Sequence, residues 1–565
     1  MKKIVRFLLL FNFVFAYPLS SNSQPFNQKK KFTRQDTLRG SIGSGRNWWD
    51  VVNYKISVTP DYNTKTILGI NRVHYKVVKQ VNNPVMQIDL QQPMQIDKIW
   101  LSSRITERTL KPIQITDFTK EGNAWFIKLP GIPKAGQENI LEIHFSGKPR
   151  EAVNPPWDGG WIWKKDANGN PWMSVACQGL GASVWYPCKD HQSDEPDHGA
   201  SLSITVPDTL SAIGNGRLKE KKSNNNGTNT WIWEVKNPIN NYNIIPYIGK
   251  YSNWSDVYEG ENGKLNCSYW VLDYDLEKAK KQFSRDVHPM LKAFEYWFGP
   301  YPFYEDGYKL VESPHLGMEH QSATAYGNKF LNGYLGGDLS GTGWGLKWDF
   351  IIIHESGHEW FANNITSNDL ADMWLHEGFT AYSETLFTQY HYGKEAGNDY
   401  VIGTRSKIKN DKPVIGNYGV NQQGSGDMYY KGSNMLHTIR QVINDDTLFR
   451  EILRGLNKTF YHQTVTTKQV ENYFSKKAKK DLSKIFDQYL RTTKIPELEY
   501  KITGDRIFYR WNNCVKGFNM PVMLDDADNT WLHPTTKWKG VTATGQLLDD
   551  GIKPDRNFYI SIKKL

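Results

Sequence analysis

A histidine pair at the end of an apolar run constrains this chain more than any other feature. Residues 351–353 are all isoleucine, and they lead directly into His354, Glu355 and, three positions later, His358. On a helix, residues four positions apart lie on one face, so the two imidazoles can bind the same metal ion. Glu355 then points to the side where a water molecule bound to that ion would lie. The pattern favours a metal site over a helix whose histidines are ordinary polar groups.

A third ligand stands nineteen residues after His358. Glu377 follows a stretch rich in turn and cap residues, 363–369, so we expect a helix, a loop and a second helix that carries Glu377. An antiparallel pair of helices would bring this carboxylate to the two imidazoles. Two histidines, one carboxylate and one water are typical of catalytic zinc, whereas structural zinc sites are closed. We predict one Zn²⁺ per chain, bound by His354, His358 and Glu377.

The residues around these ligands resemble those of a known family. They are His354-Glu355-x-x-His358-x-Trp360-Phe361 and Trp374-Leu375-x-Glu377-Gly378-Phe379. This combination is similar to the zinc aminopeptidases typified by aminopeptidase N and leukotriene hydrolase, which are gluzincin metallopeptidases. The resemblance implies a thermolysin-like catalytic domain that is mostly helical and contains a small mixed sheet.

A carboxylate for the substrate's amino group is expected upstream of the metal ligands. An aminopeptidase must bind a free ammonium group, and a fixed carboxylate does so by forming a charged pair. Members of the family carry Gly-x-Met-Glu-Asn on a strand edge that also binds the substrate backbone. The corresponding residues here are Leu316-Gly317-Met318-Glu319-His320, with the first and last as departures. The resemblance implies that Glu319 binds the ammonium group and that Gly317 and Met318 contact the substrate, and we do not expect His320 to bind the metal.

The resemblance also implies a role for a glutamine in the first half of the chain. In the family, a glutamine that helps to bind the substrate's amino end precedes an aromatic-Pro-Cys run and Asp-Glu-Pro. Gln178 matches this glutamine, ahead of 185–188 and 194–196, although three extra residues separate those two segments here. The alternative is a loop glutamine without a part in catalysis.

Two further candidates follow the metal ligands. Glu384 lies seven residues after Glu377, where the family has an acidic residue, and ligating histidines usually donate their second nitrogen to such a carboxylate. Tyr429, two residues before Lys431, matches the tyrosine of the family's Tyr-x-Lys-Gly element, whose hydroxyl stabilises the oxyanion. Tyr430 is the competing candidate for this role.

Strand and helix patterns divide the 565 residues into several units, since the chain is too long for one core. Alternating apolar residues predict an N-terminal all-β domain of saddle or sandwich type over 47–255. The zinc catalytic domain follows over 256–495, and a small C-terminal β-domain over 496–565. The predicted fold class is therefore multi-domain α+β. Within the catalytic domain we expect a helix over 276–298 that Pro289 kinks or splits.

The first residues have the pattern of a signal for export. A basic start, an apolar stretch of about nine residues and Ala16 predict a secretory signal peptide over 1–16, too short to span a bilayer. An uncleaved anchor is the alternative. Residues 17–46 are polar and predict a flexible lead. We expect a periplasmic, secreted or cell-surface protein with no stable membrane span after cleavage.

The charge pattern bears on nucleic-acid binding, and the cysteine content bears on disulfides and metal sites. The formal net charge is +10, but the lysines are scattered and no basic motif is interleaved with aromatic residues, so we expect no nucleic acid partner. The four cysteines allow three disulfide pairings, and their spacing selects none and matches no metal site. The oligomeric state stays open.

The predicted function is zinc-dependent aminopeptidase activity on peptides with a free N-terminus. Glu355 would activate a zinc-bound water as general base, and Tyr429 would share the oxyanion with zinc. One alternative is an endopeptidase or an epoxide hydrolase on the same scaffold. Another is a non-catalytic peptide-binding relative, which the presence of ligands, base and tyrosine disfavours. The preferred N-terminal residue does not follow from the sequence.

Overall fold

The computed structural model describes residues 31–105, 108–109, 111–542, 548 and 551–565. The predicted signal peptide, 1–16, lies outside the described residues. Strands dominate the first part of the described chain, helices the middle and strands again the last part, which confirms the predicted α+β class. Over the described part, no helix is both long enough and apolar enough to cross a membrane.

The described residues of the N-terminal part form one short α-helix and sixteen strands. They are α1 (Arg34–Gly40), β1 (Trp49–Asp61), β2 (Thr66–Val77), β3 (Val85–Asp89), β4 (Gln95–Ile105), β5 (Arg108–Thr109), β6 (Ile113–Ile115), β7 (Phe118–Glu121), β8 (Ala124–Lys128), β9 (Glu138–Gly147), β10 (Gly160–Lys165), β11 (Pro171–Ala176), β12 (Ala200–Pro207), β13 (Ser211–Ile213), β14 (Arg217–Ser223), β15 (Thr228–Val235) and β16 (Tyr247–Gly249). Most of them join one open nine-stranded sheet in the order β14-β15-β12-β1-β2-β9-β4-β5, with β6 beside β4. The others form the sheets β10-β11-β16-β13 and β3-β8-β7.

The long hairpin of β1 and β2 shows why this part folds as sheets. Their side chains alternate between buried and exposed positions, as expected for strands with one face on a core. The inward residues pack against the smaller sheets in a single hydrophobic cluster. The apolar alternation noted in the sequence therefore decides which face of the large sheet is covered.

The segment expected to be a flexible lead is partly helical. Helix α1 begins after Thr33, whose side chain forms a reciprocal capping box with Asp36. Arg46 is fully buried and forms an ion pair with Asp89 on β3. The Arg46 pair and a second ion pair, between Arg34 and Glu121, attach this segment to the β-domain. Its polar composition did not reveal the helix or these contacts.

The central part combines a mixed sheet with eight helices. Its elements are β17 (Tyr251–Gly260), β18 (Gly263–Leu272), α2 (Leu276–Phe298), β19 (Tyr308–Glu312), β20 (Gly317–Met318), β21 (Thr324–Tyr326), α3 (Phe350–Gly357), β22 (Ile365–Ser367), α4 (Trp374–Tyr392), α5 (Lys394–Gly403), α6 (Tyr430–Ile443), α7 (Asp446–Thr459), β23 (Gln463–Val465), α8 (Thr467–Ala478) and α9 (Ser483–Arg491). The five-stranded sheet has the order β17-β18-β19-β21-β20, so β20 is an edge strand. The predicted domain boundary at 255 falls inside β17.

Helix α2 runs through Pro289 without being split, contrary to one of the two outcomes expected at that residue. Its buried face includes Phe283, Val287, Met290 and Phe294. We attribute its continuity to this burial, since tertiary packing offsets the hydrogen bond that a proline removes.

Helices α3 and α4 pack against each other. His354 lies on α3 and Glu377 on α4, and His358 is the first residue after α3, as its C-cap. Asp349 caps α3, because its buried carboxylate accepts hydrogen bonds from the backbone N–H groups of Ile351 and Ile352. All eight residues of α3 are buried, and α4 is buried from Trp374 to Thr388. Both helices are therefore core elements, which holds side chains on them in fixed positions.

The C-terminal part consists of strands that share a core with the helices. They are β24 (Glu497–Thr503), β25 (Arg506–Asn512), β26 (Val522–Met523), β27 (Trp531–Leu532), β28 (Lys539–Thr542) and β29 (Ser561–Lys564). Four of them form a sheet in the order β28-β25-β24-β29, and β26 pairs with β27. Leu498, Trp511 and Phe518 lie in the same hydrophobic cluster as α4 and α6. This small β-unit is thus packed onto the helices of the central part.

Candidate active site

The three predicted metal ligands meet where α3 and α4 pack together. Nε2 of His354 lies 3.6 Å from Oε2 of Glu377, and Nε2 of His358 lies 3.4 Å from the same oxygen. All three side chains are buried. Two ligand atoms that are each about 2.1 Å from one tetrahedral ion are about 3.4 Å apart, so the triangle has the size of a zinc site.

The second nitrogen of each histidine has its own partner. Nδ1 of His354 lies 2.7 Å from Oε1 of Glu384, whose other oxygen accepts a hydrogen bond from the Tyr400 hydroxyl. Nδ1 of His358 lies 3.0 Å from the carbonyl oxygen of Phe361. Because a carbonyl or an ionised carboxylate only accepts, both Nδ1 atoms carry a proton. In the neutral form of either ring, the lone pair is then on Nε2, facing the third ligand.

The buried carboxylate of the triad needs a positive charge nearby to balance its own. Oε2 of Glu377 is buried without a hydrogen-bond partner among the described residues. Burial opposes its ionisation, yet the two imidazoles hold the pKa of Glu377 well below its usual range. Burial likewise disfavours the imidazolium form of His354, but Glu377 and Glu384 raise its pKa above the ordinary value. A buried anion among nitrogen donors is costly unless a cation is present, and this donor set fits zinc.

Glu355 has the environment of a general base. It lies on α3 next to His354 and lines the cavity in front of the triad. Burial raises the pKa of Glu355 to about 7, although the two imidazoles oppose the shift. A carboxylate that titrates near neutrality can take up and release a proton at working pH. Gly317 makes room for it, since a Cβ at that position would lie 2.7 Å from Oε1 of Glu355.

Glu319 lies on the other side of the same space. Its Oε1 accepts hydrogen bonds from the side-chain amide of Gln178 and, at 2.9 Å, from the Tyr242 hydroxyl. One carboxylate oxygen of Glu319, one of Glu355 and a ring nitrogen of His358 lie within 4.8 Å of one another. Burial raises the pKa of Glu319 above its ordinary value, and the nearby His358 opposes this shift only in part. Two carboxylates in one buried space attract a further cation, and Gln178 lines the same cavity.

Tyr429 and Tyr430 occupy different surroundings. The Tyr429 ring stacks at 6.0 Å from that of His354, at the start of α6. Burial, followed by the charges of Glu377, Glu319 and Glu355, raises the pKa of Tyr429 well above its usual value. The phenol therefore keeps its proton and can donate a hydrogen bond. Burial also raises the pKa of Tyr430, but the charge that acts on it most strongly is that of Glu384, behind the metal ligands.

Several residues that hold these groups in place were not found from the sequence. Asn363 donates a hydrogen bond to the backbone carbonyl of Glu319 at 2.9 Å, and the Thr380 hydroxyl lies 3.0 Å from Nδ1 of His358. Thr380 could have been noticed, because it is three residues after Glu377 on the same helix. Tyr242 and Tyr400 carry no comparable signal, since they come from distant segments.

A cavity of about 280 Å³ opens in front of the triad. Besides the candidate residues it has an apolar part and a basic part. The apolar lining residues are Trp157, Leu316, Met318, Tyr334, Leu339 and Phe350, and the basic ones are Lys407, Lys409 and Lys412, with the carboxylates of Asp411 and Asp427 among them. His320 is buried beside Tyr247, whose hydroxyl lies 2.5 Å from its Nδ1.

Two family models match the chain. The peptidase family M1 domain matches residues 285–489, and the peptidase M1 N-terminal domain matches residues 51–242. Together they cover more than half of the chain, and the first contains all three ligands of the triad.

Curated relatives are similar over part of their length. Leukotriene A-4 hydrolase from Xenopus laevis is 24% identical over 63% of this chain and 58% of its own. Aminopeptidase B from Mus musculus is 24% identical over 59% of this chain and 51% of its own. The chain thus spans about half the length of the curated relatives it matches.

Solved structures share the fold. The M1 zinc metallopeptidase from Deinococcus radiodurans has a TM-score of 0.62 at 20% identity and covers 77% of this chain and 91% of its own. A variant of it bound to a Tyr-Ser-Ala substrate has a TM-score of 0.63 at 19% identity, over 79% and 95% of the two chains. With both halves of the fold matched and the histidine and glutamate ligands gathered at one point, the chain belongs to peptidase family M1.

Proposed function

We propose that this protein is a zinc-dependent aminopeptidase that hydrolyses the first peptide bond of peptides with a free N-terminus. The observation that carries the proposal is the meeting of a metal-binding triad and the buried carboxylate of Glu319 in one cavity. A triad alone would suit many hydrolases. The second buried anion adds a requirement for a cationic group on the substrate, next to the bond that is cut. Membership of family M1 supports the same reading.

His354, His358 and Glu377 would hold the zinc ion. When bound, zinc would polarise the scissile carbonyl and lower the pKa of a water molecule to about 7. His354 donates a hydrogen bond to Glu384, and His358 donates one to the Phe361 carbonyl. These two bonds keep both rings in the tautomer that binds metal.

Glu355 would transfer the proton of the attacking water. It takes a proton from the attacking water and hands it to the nitrogen of the leaving peptide, so the same carboxylate serves as base and then as acid. Its pKa of about 7 suits both steps. Because Gly317 has no side chain, the carboxylate of Glu355 can lie against the strand edge where the substrate backbone would bind.

Tyr429 would stabilise the charge that develops on the carbonyl oxygen. Its hydroxyl is a protonated donor in a buried site, where a hydrogen bond to an oxyanion is stronger than in water. Tyr430 is less suited, because the carboxylate that acts on it most strongly lies behind the metal ligands.

Glu319 would bind the substrate's ammonium group. An amine placed there offsets the cost of burying the carboxylate, and the hydrogen bonds from Gln178 and Tyr242 keep Glu319 in one orientation. The unpaired side of β20 is available to bind the substrate backbone. Together these contacts would stop a peptide after one residue has entered.

The decisive experiment compares free and N-acetylated forms of one aminoacyl-dye substrate, before and after removal of metal. We expect hydrolysis of the free form alone, its loss on chelation and its recovery with zinc. Equal hydrolysis of the acetylated form would show an endopeptidase. Full zinc content without turnover of any member of a panel of twenty aminoacyl-dyes would show a non-catalytic binding protein. Opening of an epoxide substrate without peptide cleavage would show an epoxide hydrolase.

We also propose that the protein is exported, on the basis of the basic and apolar pattern of residues 1–16. Mass spectrometry of the mature N-terminus, together with cell fractionation, tests this. An intact N-terminus on a cytoplasmic protein would contradict it.

A further inference from the structure

A second group of metal-binding side chains lies outside the active site. Asp256 on β17, Cys267 on β18 and His288 on α2 each offer one ligand atom, and these atoms lie within 4.8 Å of one another. None of the three residues lines the cavity of the active site. Their functional groups are a carboxylate, a thiol and an imidazole, which are three groups that bind zinc in proteins.

The backbone itself places two of the three side chains together. Asp256 and Cys267 are direct partners in the antiparallel pairing of β17 with β18. Side chains of directly opposed residues point to the same face of a sheet, with their Cβ atoms about 4.5–5.5 Å apart. Helix α2 packs on this sheet and brings His288 to the pair. The grouping therefore follows from strand register and helix packing, and a change of rotamer would not remove it.

The contacts around the group orient the carboxylate. Nε2 of His288 lies 3.1 Å from Oδ1 of Asp256. The hydroxyl of Tyr269 donates to Oδ1 and Oδ2 of Asp256 at 3.1 and 3.3 Å. The Cys267 thiol donates to the Leu265 carbonyl at 3.8 Å, and the Tyr269 side chain is a second hydrogen-bond partner of the sulfur. Tyr269 thus lies against both the carboxylate and the sulfur.

The dimensions suit a single ion after a small adjustment. With zinc distances of about 2.3 Å to sulfur and 2.1 Å to nitrogen or oxygen, bound ligand atoms are about 3.4–3.6 Å apart. Asp256 and His288 have side chains that are each 38% exposed, so they can move closer, while Cys267 is fully buried. Their exposed side leaves a fourth position to a water molecule.

We propose that Asp256, Cys267 and His288 form a second metal site, which binds a divalent cation of the zinc class with a water as fourth ligand. The site is separate from the catalytic triad and does not depend on the proposed function. The competing explanation is an exposed histidine–aspartate pair above a cysteine of the core, and such pairs contribute little to stability.

Cobalt substitution separates these explanations, because a thiolate bound to Co²⁺ gives a near-ultraviolet charge-transfer band and the catalytic triad contains no sulfur. The full-length protein is freed of metal, loaded with Co²⁺ and desalted. We expect this band and two ions per chain. Cys267→Ser and His288→Gln should each lose the band and retain one ion, and the half-exposed His288 gives a variant that keeps the core intact.

Two controls complete the experiment. Cys514→Ser, which alters a cysteine outside the group, should keep the band and both ions. His354→Ala should lose the catalytic ion and keep the band, so that failure of the active site is distinguished from failure of the second site. The proposal is overturned if wild-type protein shows no band in excess Co²⁺, or if the band persists in His288→Gln.

Discussion

The two sides of the active-site cleft are built in opposite ways. On the metal side, His354 and its partner Glu384 are 30 positions apart in the chain, and both lie on the packed pair α3 and α4. On the side proposed to bind the substrate's amine, here called the amine side, Glu319 meets Gln178 from 141 positions away and Tyr242 from 77 positions away. Local helix geometry produces the first side, whereas the second exists only when the N-terminal sheets dock on the catalytic region. Damage to that docking should therefore impair amine recognition before metal binding.

The largest effect is expected on the metal side, at Glu355. Glu355→Gln keeps the size of the side chain but removes the base, so we expect kcat/KM to fall by about 10²–10⁴-fold with zinc content unchanged. Zinc analysis and steady-state kinetics check this. Glu277→Gln, on the exposed first turn of α2, is the control and should retain full activity. A Glu355→Gln enzyme close to wild-type activity would remove this residue as the base.

Tyr429 comes next and distinguishes two neighbouring phenols. Tyr429→Phe should lower kcat by about 10²–10³-fold, because one oxyanion donor is lost from a buried site. KM should change little, since the interaction belongs to the transition state. Tyr430→Phe is the matched control, with a small expected effect. If the two variants changed places in this ranking, the oxyanion donor would be Tyr430.

On the amine side, Glu319→Gln should alter selectivity more than chemistry. A hydrogen bond to a charged group contributes about 1.5–3 kcal/mol, so kcat/KM for free-amine substrates should fall by about 10–100-fold. The same substrates with an acetylated amine should be hydrolysed by neither enzyme, because they lack the charge that Glu319 would bind. The measurement is kcat/KM for the free-amine substrate in the variant relative to wild type. An unchanged value would contradict the role proposed for Glu319.

The smallest effects are expected for the two supports of Glu319. Gln178→Ala and Tyr242→Phe each remove one hydrogen bond to its carboxylate, and each should lower kcat/KM by about tenfold, mainly through KM. Zinc content should stay at the wild-type level in both, as measured by elemental analysis. Loss of zinc in either variant would show that the amine side also holds the metal side together.

The fold class was predictable because periodicity reports directly on burial. Alternation in β1 and β2 and the apolar run of α3 reflect which side chains face a core. Features that depend on contacts between distant segments were not predicted. The Arg46–Asp89 pair of the expected lead, the unsplit helix α2 and the partners Tyr242 and Tyr400 belong to this group. The cysteines stayed undecided in the sequence, and in the structure all four are free thiols.

The sequence by itself determined the metal-binding triad. The spacing of His354 and His358 on a helix, with Glu377 on the next, leaves few arrangements other than a shared ion, because helix geometry fixes where such side chains point. Only the tertiary structure decided what surrounds the triad. It placed Glu319 and Glu355 in one buried space and the Tyr429 ring beside that of His354. It also brought Asp256, Cys267 and His288 together, since contacts across sheets and between domains leave no periodic trace in the chain.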